Sequence, residues 1–420
     1  MPRLFSPFRS PAARRLAVLF AVVYFSQGMY YVIVQPLNLT LKERLGLTAT
    51  QVATFGTITL IPWVIKPVYG LLSDAVPLFR RRRKSYFIIM SSLASVAGLT
   101  LAADPTPTYW TLAVFVTLMA LGVAFTDVLT DAMMVENGKP LGLTGAFQSI
   151  QWAAINASSI IVGLAGGYFA QQRYPQGAFL VAAIFPLVAL LMMTFFVHEA
   201  PSKSRREELH AAWTGIRRAV TDRTMWVVAG FIFFWAFSPS IGIPLFYYQT
   251  DTLKFSQQFI GMLSSSAAAA MIVGSLGYAP LSRRYSLQRI IVVSIGVATV
   301  GTLAYLLYND WKSALIIDVT FGGVSMIIQL AFLDLAAKAC PENAEGTFFA
   351  LLMSVYNLGV QGSQITGSFL YDKIGYTPLV LISAAMTAAA WLLVPLVNIP
   401  AIEGRARLAG PPPEAVPAAH

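Results

Sequence analysis

The 420-residue chain is 56% apolar and only 11% charged, with a mean hydropathy of +0.65. A soluble domain carries about a quarter charged residues, so a soluble globular protein is excluded. The formal charge of +10 therefore reads as basic loops at a membrane face, not as a nucleic-acid surface.

In chain order, runs of about 20 nearly uncharged residues recur from end to end, each long enough to cross ~30 Å of hydrocarbon as a helix. They lack the polar–apolar alternation of a membrane strand. The first stretch, MPRLFSPFRSPAARRLAVLFAVVYFSQG, begins basic like a signal peptide. No small-x-small cleavage site follows and the apolar run continues through MYYVIVQPL, so it is read as the first span. Twelve spans are predicted: 16–38, 48–72, 85–103, 109–133, 144–170, 176–198, 225–249, 256–281, 288–308, 311–337, 346–371 and 376–398. Residues 199–224 form an amphipathic linker in which Leu209, Ala212, Trp213, Ile216 and Val220 share one face and basic residues the other, suited to a cytoplasmic membrane surface. The Pro/Ala-rich end, 400–420, is expected to be disordered. This divides the chain into bundles at 1–198 and 225–399.

With both termini on one side, that side holds 22 of the 29 Lys and Arg residues and the opposite loops hold 6. The asymmetry puts both ends in the cytoplasm. It also accounts for RRRRK, Arg80 to Lys84, as a cytoplasmic turn. The two halves echo one another: GLLSDAVPLFRRRRKS after the second span has a degenerate counterpart, GYAPLSRRYSLQR, after the eighth, and Asp131 matches Asp334. Two six-helix bundles joined by a long linker define the expected fold, an all-α polytopic membrane protein of major facilitator architecture.

A charge at the bilayer centre costs at least ~2.5–3.5 kcal/mol, so those that occur serve packing or function. Lys66 lies in the second span, Asp127 and Asp131 in the fourth, Asp318 and Asp334 in the tenth. Amides gather on spans one, five, ten and eleven, among them Gln35, Gln148, Asn357 and Gln361, while every third span is nearly free of charge away from its ends. That period points to a wet central cavity. Asp127 and Asp131 are four apart and share a helix face. Against the single cation of Lys66 they leave one carboxylate over, able to hold a proton; a static ion pair is the alternative. Asp74, beside Arg81, Arg82 and Arg83 at a helix end, is expected to stabilise a gate. Span seven, FWAFSPSIGIPLFYYQ, carries Pro239, Gly242 and Pro244, which predict a kink. Trp235 there, and Trp152 one turn from Gln148, offer flat faces for a ring. One cysteine, Cys340, excludes an intramolecular disulfide or cysteine-based metal centre. His198, His210 and His420 make no ligand pattern, so no cofactor or metal is expected.

The stretches IPWVIKPVYGLLSDAVPLFRRRRKSY, TDVLTDAMMVE and CPENAEGTFFALLMSVYNLG resemble the folate–biopterin transporter family of the major facilitator superfamily. The resemblance implies a proton-coupled carrier of folate or a pterin-like anion, working by alternating access in the inner (plasma) membrane as a monomer, with no nucleic-acid partner. The family's charged and polar motif positions fall on Lys66, Asp74, Asp127, Asp131, Glu136, Glu345 and Asn357. Glu136, Asp334 and Glu345 join Asp74 and the arginines as expected gating residues. One departure is Arg80 and Arg81, where the family usually has a glycine–aromatic pair. Other readings stay open: a permease for another solute such as muropeptides, or a non-transporting receptor. A membrane enzyme is disfavoured, because the spans hold no nucleophile–base or metal pattern.

Overall fold

The structure, a computed structural model, describes residues 10–141, 143–197, 199, 223–340 and 345–408. Among them every regular element is helical, apart from an isolated bridge between Leu78 and Arg81. Helix α1 (Pro11–Met29) starts at Ser10, whose hydroxyl oxygen accepts the Ala13 amide, with Pro11 where a missing N–H costs nothing. It continues through a 3-10 turn (Tyr30–Ile33), α2 (Val34–Leu39) and a π turn (Thr40–Arg44), so the first pass covers Pro11–Arg44, not 16–38. The second pass is broken. α3 (Ala49–Val64) and α4 (Lys66–Ala75) meet at Ile65, between Pro62 inside α3 and Pro67 at the start of α4. α5 (Lys84–Ala103), α6 (Tyr109–Leu141), α7 (Thr144–Gln171) and α8 (Pro175–Phe196) complete the first half.

The seventh pass is assembled from α9 (Arg223–Ala236) and α10 (Gly242–Asp251). α11 (Gln257–Arg284), α12 (Leu287–Ala304), α13 (Trp311–Ala339), α14 (Glu345–Ile374) and α15 (Tyr376–Val397) supply the other five. Ten runs among the described residues are long and apolar enough to cross a membrane. The seventh pass is too interrupted to count alone, and α14 carries Asn357, Gln361 and Gln364. The expectation of disorder from residue 400 is corrected over its first part: α16 (Ile399–Leu408) is helical, with Ile399 and Ile402 each 1% exposed in an apolar core. Asn398, in the left-handed region at φ 47°, turns the chain into it. The remainder of the tail and nearly all of the predicted linker lie outside the described residues.

Packing defines two compact units. The first comprises Met1–Leu47, Phe55–Leu209 and Ser256–Ser265; the second comprises Thr48–Thr54, His210–Phe255 and Ser266–His420. In the first, Phe20, Phe87, Phe125, Leu129, Phe147 and Met193 form the core, and Phe125 stacks between Tyr69 and Tyr86 at 4.6 and 5.4 Å. The start of α11 joins this unit because glycines let backbones touch: a Cβ on Gly261 would fall 2.3 Å from the Gly163 carbonyl oxygen. In the second unit, Val228, Phe231, Ile232, Ile291, Ile295, Phe332 and Leu335 are central.

The predicted kink in span seven is a full break. Its backbone groups are re-satisfied by neighbouring helices, as an apolar medium requires. The Ser240 amide donates to the Ser363 carbonyl at 3.1 Å, and the Ser363 hydroxyl donates to the Ser238 carbonyl at 2.6 Å. The Ser238 hydroxyl donates to the Ser383 carbonyl at 3.1 Å and lies 2.9 Å from that of Thr387. Gly367 makes the approach possible, since a Cβ there would sit 2.0 Å from the Ser240 oxygen.

Candidate functional site

The break at Ile65 puts Lys66 at the first position of α4, beside α6. Its Nζ lies 2.5 Å from Asp127 Oδ2 and 4.6 Å from the centre of the Trp63 ring, which stacks with Tyr31. The Asp127 side chain is 7% exposed and that of Lys66 32%, so the acid is sealed while the cation keeps a route out. One turn further along α6, Asp131 accepts a hydrogen bond from the Tyr24 hydroxyl of α1. Two carboxylates on one face thus share one lysine and one phenol. The expected grouping of Lys66, Asp127 and Asp131 is present. Tyr24 was missed, because a tyrosine within an apolar run carries no signal of the acid it meets.

The basic loop is more than a charged turn. Arg83 is 6% exposed, and its guanidinium donates to Ser73 Oγ at 2.6 Å and pairs with Glu136 at 2.9 Å. Arg82 reaches the same carboxylate at 3.6 Å. Glu199 accepts the backbone amides of Arg82, Arg83 and Lys84 at 2.8–3.2 Å, capping the start of α5 from over a hundred residues away. A carboxylate suits the positive end of a helix. Lys84 Nζ closes the clasp on the Thr194 and Val197 carbonyls, both at 2.7 Å. Arg82, Arg83 and Glu136 are therefore brought together, whereas Arg81 stays exposed. The side chains of Asp74 and Glu345 lie outside the described residues.

The remaining predicted residues divide. Gln35 donates to the Gln257 carbonyl at 2.7 Å within the first unit, and Gln361 to the Ala53 carbonyl at 3.0 Å within the second, so both amides tie helices together. Gln148 and Trp152 are exposed on α7, and Asn357 is half-buried on α14. Tyr248 is consumed in packing, stacked on Tyr376 at 4.1 Å. Asp334 accepts from Tyr278 at 2.9 Å and pairs with Lys338 of its own helix at 2.8 Å. Trp235 stacks on Phe332 at 4.3 Å and lines a cavity of about 520 Å³ inside the second unit, together with Tyr305, Asp318, Gln329 and Tyr356. Asp318 had been noticed only as a charge within a span. Its partners, Tyr305 and Tyr308, come from the turn after α12.

Among the described residues, twelve helical passes with a broken seventh define a multi-pass membrane protein of the major facilitator fold. Solved structures agree on that fold. The nucleoside transporter NupG superposes with a TM-score of 0.70 over 92% of this chain and 99% of its own, at 14% identity. A D-xylose–proton symporter gives 0.68 over 92% and 98%, also at 14% identity. The chain belongs to the BT1 family, which it matches over residues 27–397. It is 31% identical to the folate-biopterin transporter of Synechocystis sp., covering 88% of this chain and 76% of that one. It is 24% identical to folate transporter 2 of Plasmodium falciparum, covering 83% and 79%.

Proposed function

We propose that this transporter carries folate or a related pterin across the plasma membrane by alternating access, coupled to protons, with both termini cytoplasmic. The observation that carries the reading is the sealed Asp127–Lys66 pair with a second carboxylate, Asp131, one helical turn away. Buried charges are costly, and this set has one acid more than it has cations to neutralise it. An anionic solute that engages Lys66 releases Asp127, which then takes up a proton. The solute's negative charge and the proton's positive charge cancel, so the loaded site is no more charged than the empty one. The names of the related proteins, folate and folate–biopterin transporters, support the choice of solute.

The test is uptake of labelled folate into proteoliposomes with and without an inward proton gradient. Accumulation that depends on the gradient is the expected result. Folded protein that takes up neither folate nor biopterin would sink this solute class, and muropeptides would be the next candidates.

A further inference from the structure

We propose that Asp318 on α13 reads the pterin ring itself. Its carboxylate accepts two hydrogen bonds from the amidine edge of the ring, the ring N–H and the exocyclic amine, inside the cavity of the second unit. This rests on the folate or pterin reading above.

Asp318 lies two turns into the apolar helix Trp311–Ala339. There a carboxylate is costly to keep and so marks a site with a partner. Among the described residues no cation pairs with it, in contrast to Asp334 with Lys338 on the same helix. It is held by phenols instead: Tyr308 donates to one oxygen at 2.8 Å and Tyr305 to the other at 3.3 Å. The Tyr308 ring is fully buried and stacks on Tyr305 at 5.6 Å. Gln249 donates its amide N–H to the Tyr308 oxygen at 2.6 Å, which commits the phenol proton to Asp318. The carboxylate is thereby fixed in orientation and short of donors. It has about four acceptor positions, and the two phenols occupy two.

The ligand that fits the remaining two is one presenting a pair of parallel N–H donors on a planar edge, the geometry that binds carboxylates most selectively. The cavity around Asp318 is built for a flat aromatic body. Trp235 stacks on Phe332 with 12° between the ring planes, and Phe321, Tyr356 and Gln329 also line the cavity. Phe321 is seated against Gly301, where any Cβ would meet the ring at 2.6 Å. A volume of about 520 Å³ lies within the ~300–1,000 Å³ usual for small-molecule sites. A pterin supplies both features, because its 2-amino-4-oxopyrimidine half ends in such an amidine edge. A lumazine, which has a carbonyl in place of the exocyclic amine, keeps the shape and loses one donor.

The experiment is calorimetric binding of 6-hydroxymethylpterin and of the matching lumazine to the full-length protein in detergent, wild type against Asp318→Asn. Wild type is expected to prefer the pterin by about tenfold or more, since a site built to bond an N–H rejects the analogue that lacks it. Asp318→Asn is expected to abolish or reverse that preference, because the carboxamide offers a donor where the carboxylate offered an acceptor, facing the pterin amine wrongly and matching the lumazine carbonyl. A preference retained in Asp318→Asn, or absent from wild type that binds both rings, overturns the inference and leaves the pterin reading standing. Wild type that binds neither ring overturns the pterin reading and the inference with it. Should Asp318→Asn fail to fold, Tyr305→Phe tests the same point: freeing one oxygen from its anchor is expected to lower the preference by about threefold. No change there overturns the proposal.

Discussion

Neutralising Lys66 and Asp127 one at a time should have very different consequences. The carboxylate is sealed at 7% exposure while the ammonium keeps 32%. Lys66→Gln strands a charge with no path to water, and breaking a buried pair in this way costs about 3–5 kcal/mol. The lower part of that range, about 3–4 kcal/mol, is expected, since the Lys66 half of the pair is already partly open to solvent. Asp127→Asn leaves a cation that still lies over Trp63 at 4.6 Å and still reaches water. About 1 kcal/mol is expected there, and a similar figure for the double variant. The coupling is then about 3–4 kcal/mol. Thermal unfolding of purified protein in detergent reads this out. At about 2–4 °C per kcal/mol for a unit of ~200 residues, Lys66→Gln should lose about 6–16 °C and Asp127→Asn about 2–4 °C at pH 7. Strictly additive losses would refute the reasoning.

Three further outcomes are expected. Asp127→Asn should abolish proton-driven accumulation while solute exchange stays measurable; unchanged gradient dependence in proteoliposomes would remove Asp127 from coupling. Lys66→Gln should weaken binding of anionic pterins more than neutral ones in a competition assay, and equal effects would assign the lysine to structure alone. Glu199→Gln keeps the acceptor oxygen but removes the charge facing three amides at the start of α5. It should cost about 1 kcal/mol, seen as a lower midpoint in the same thermal assay and as a smaller loss at high salt.

The fold was legible because apolarity over about 20 residues and the echo between halves are one-dimensional signals. Helix ends were less so. The first pass runs to Arg44 because its turns change pitch without stopping, and α6 runs to Leu141 past any hydropathy boundary. The acids and the lysine of the site could be found as charges in apolar runs. Their partners could not: Tyr24 lies 107 residues from Asp131, and Glu199 lies more than a hundred from the amides it caps. Amides misled in a different way. Gln35 and Gln361 marked polar helices correctly, but each spends its N–H on a backbone carbonyl of another helix.

The repeat itself explains why the proposed proton coupling is placed in the first half. Asp131 and Asp334 occupy matching positions and each accepts from a tyrosine, Tyr24 and Tyr278 respectively. The environments then diverge. Four residues before Asp131 stands Asp127, while four before Asp334 stands Leu330; four residues after Asp334 stands Lys338, which neutralises it within its own helix. In the second half the matching acid is thus locally balanced, at the i,i+4 spacing that needs no other helix. In the first, one of two acids is balanced through Lys66 on α4, a different helix that begins at a proline-flanked break. A charge pair made between helices changes whenever those helices shift, whereas a pair within one helix does not. Under the proposed mechanism the first arrangement is the one suited to tie protonation to conformational change, and that asymmetry is already written at positions 127 and 330.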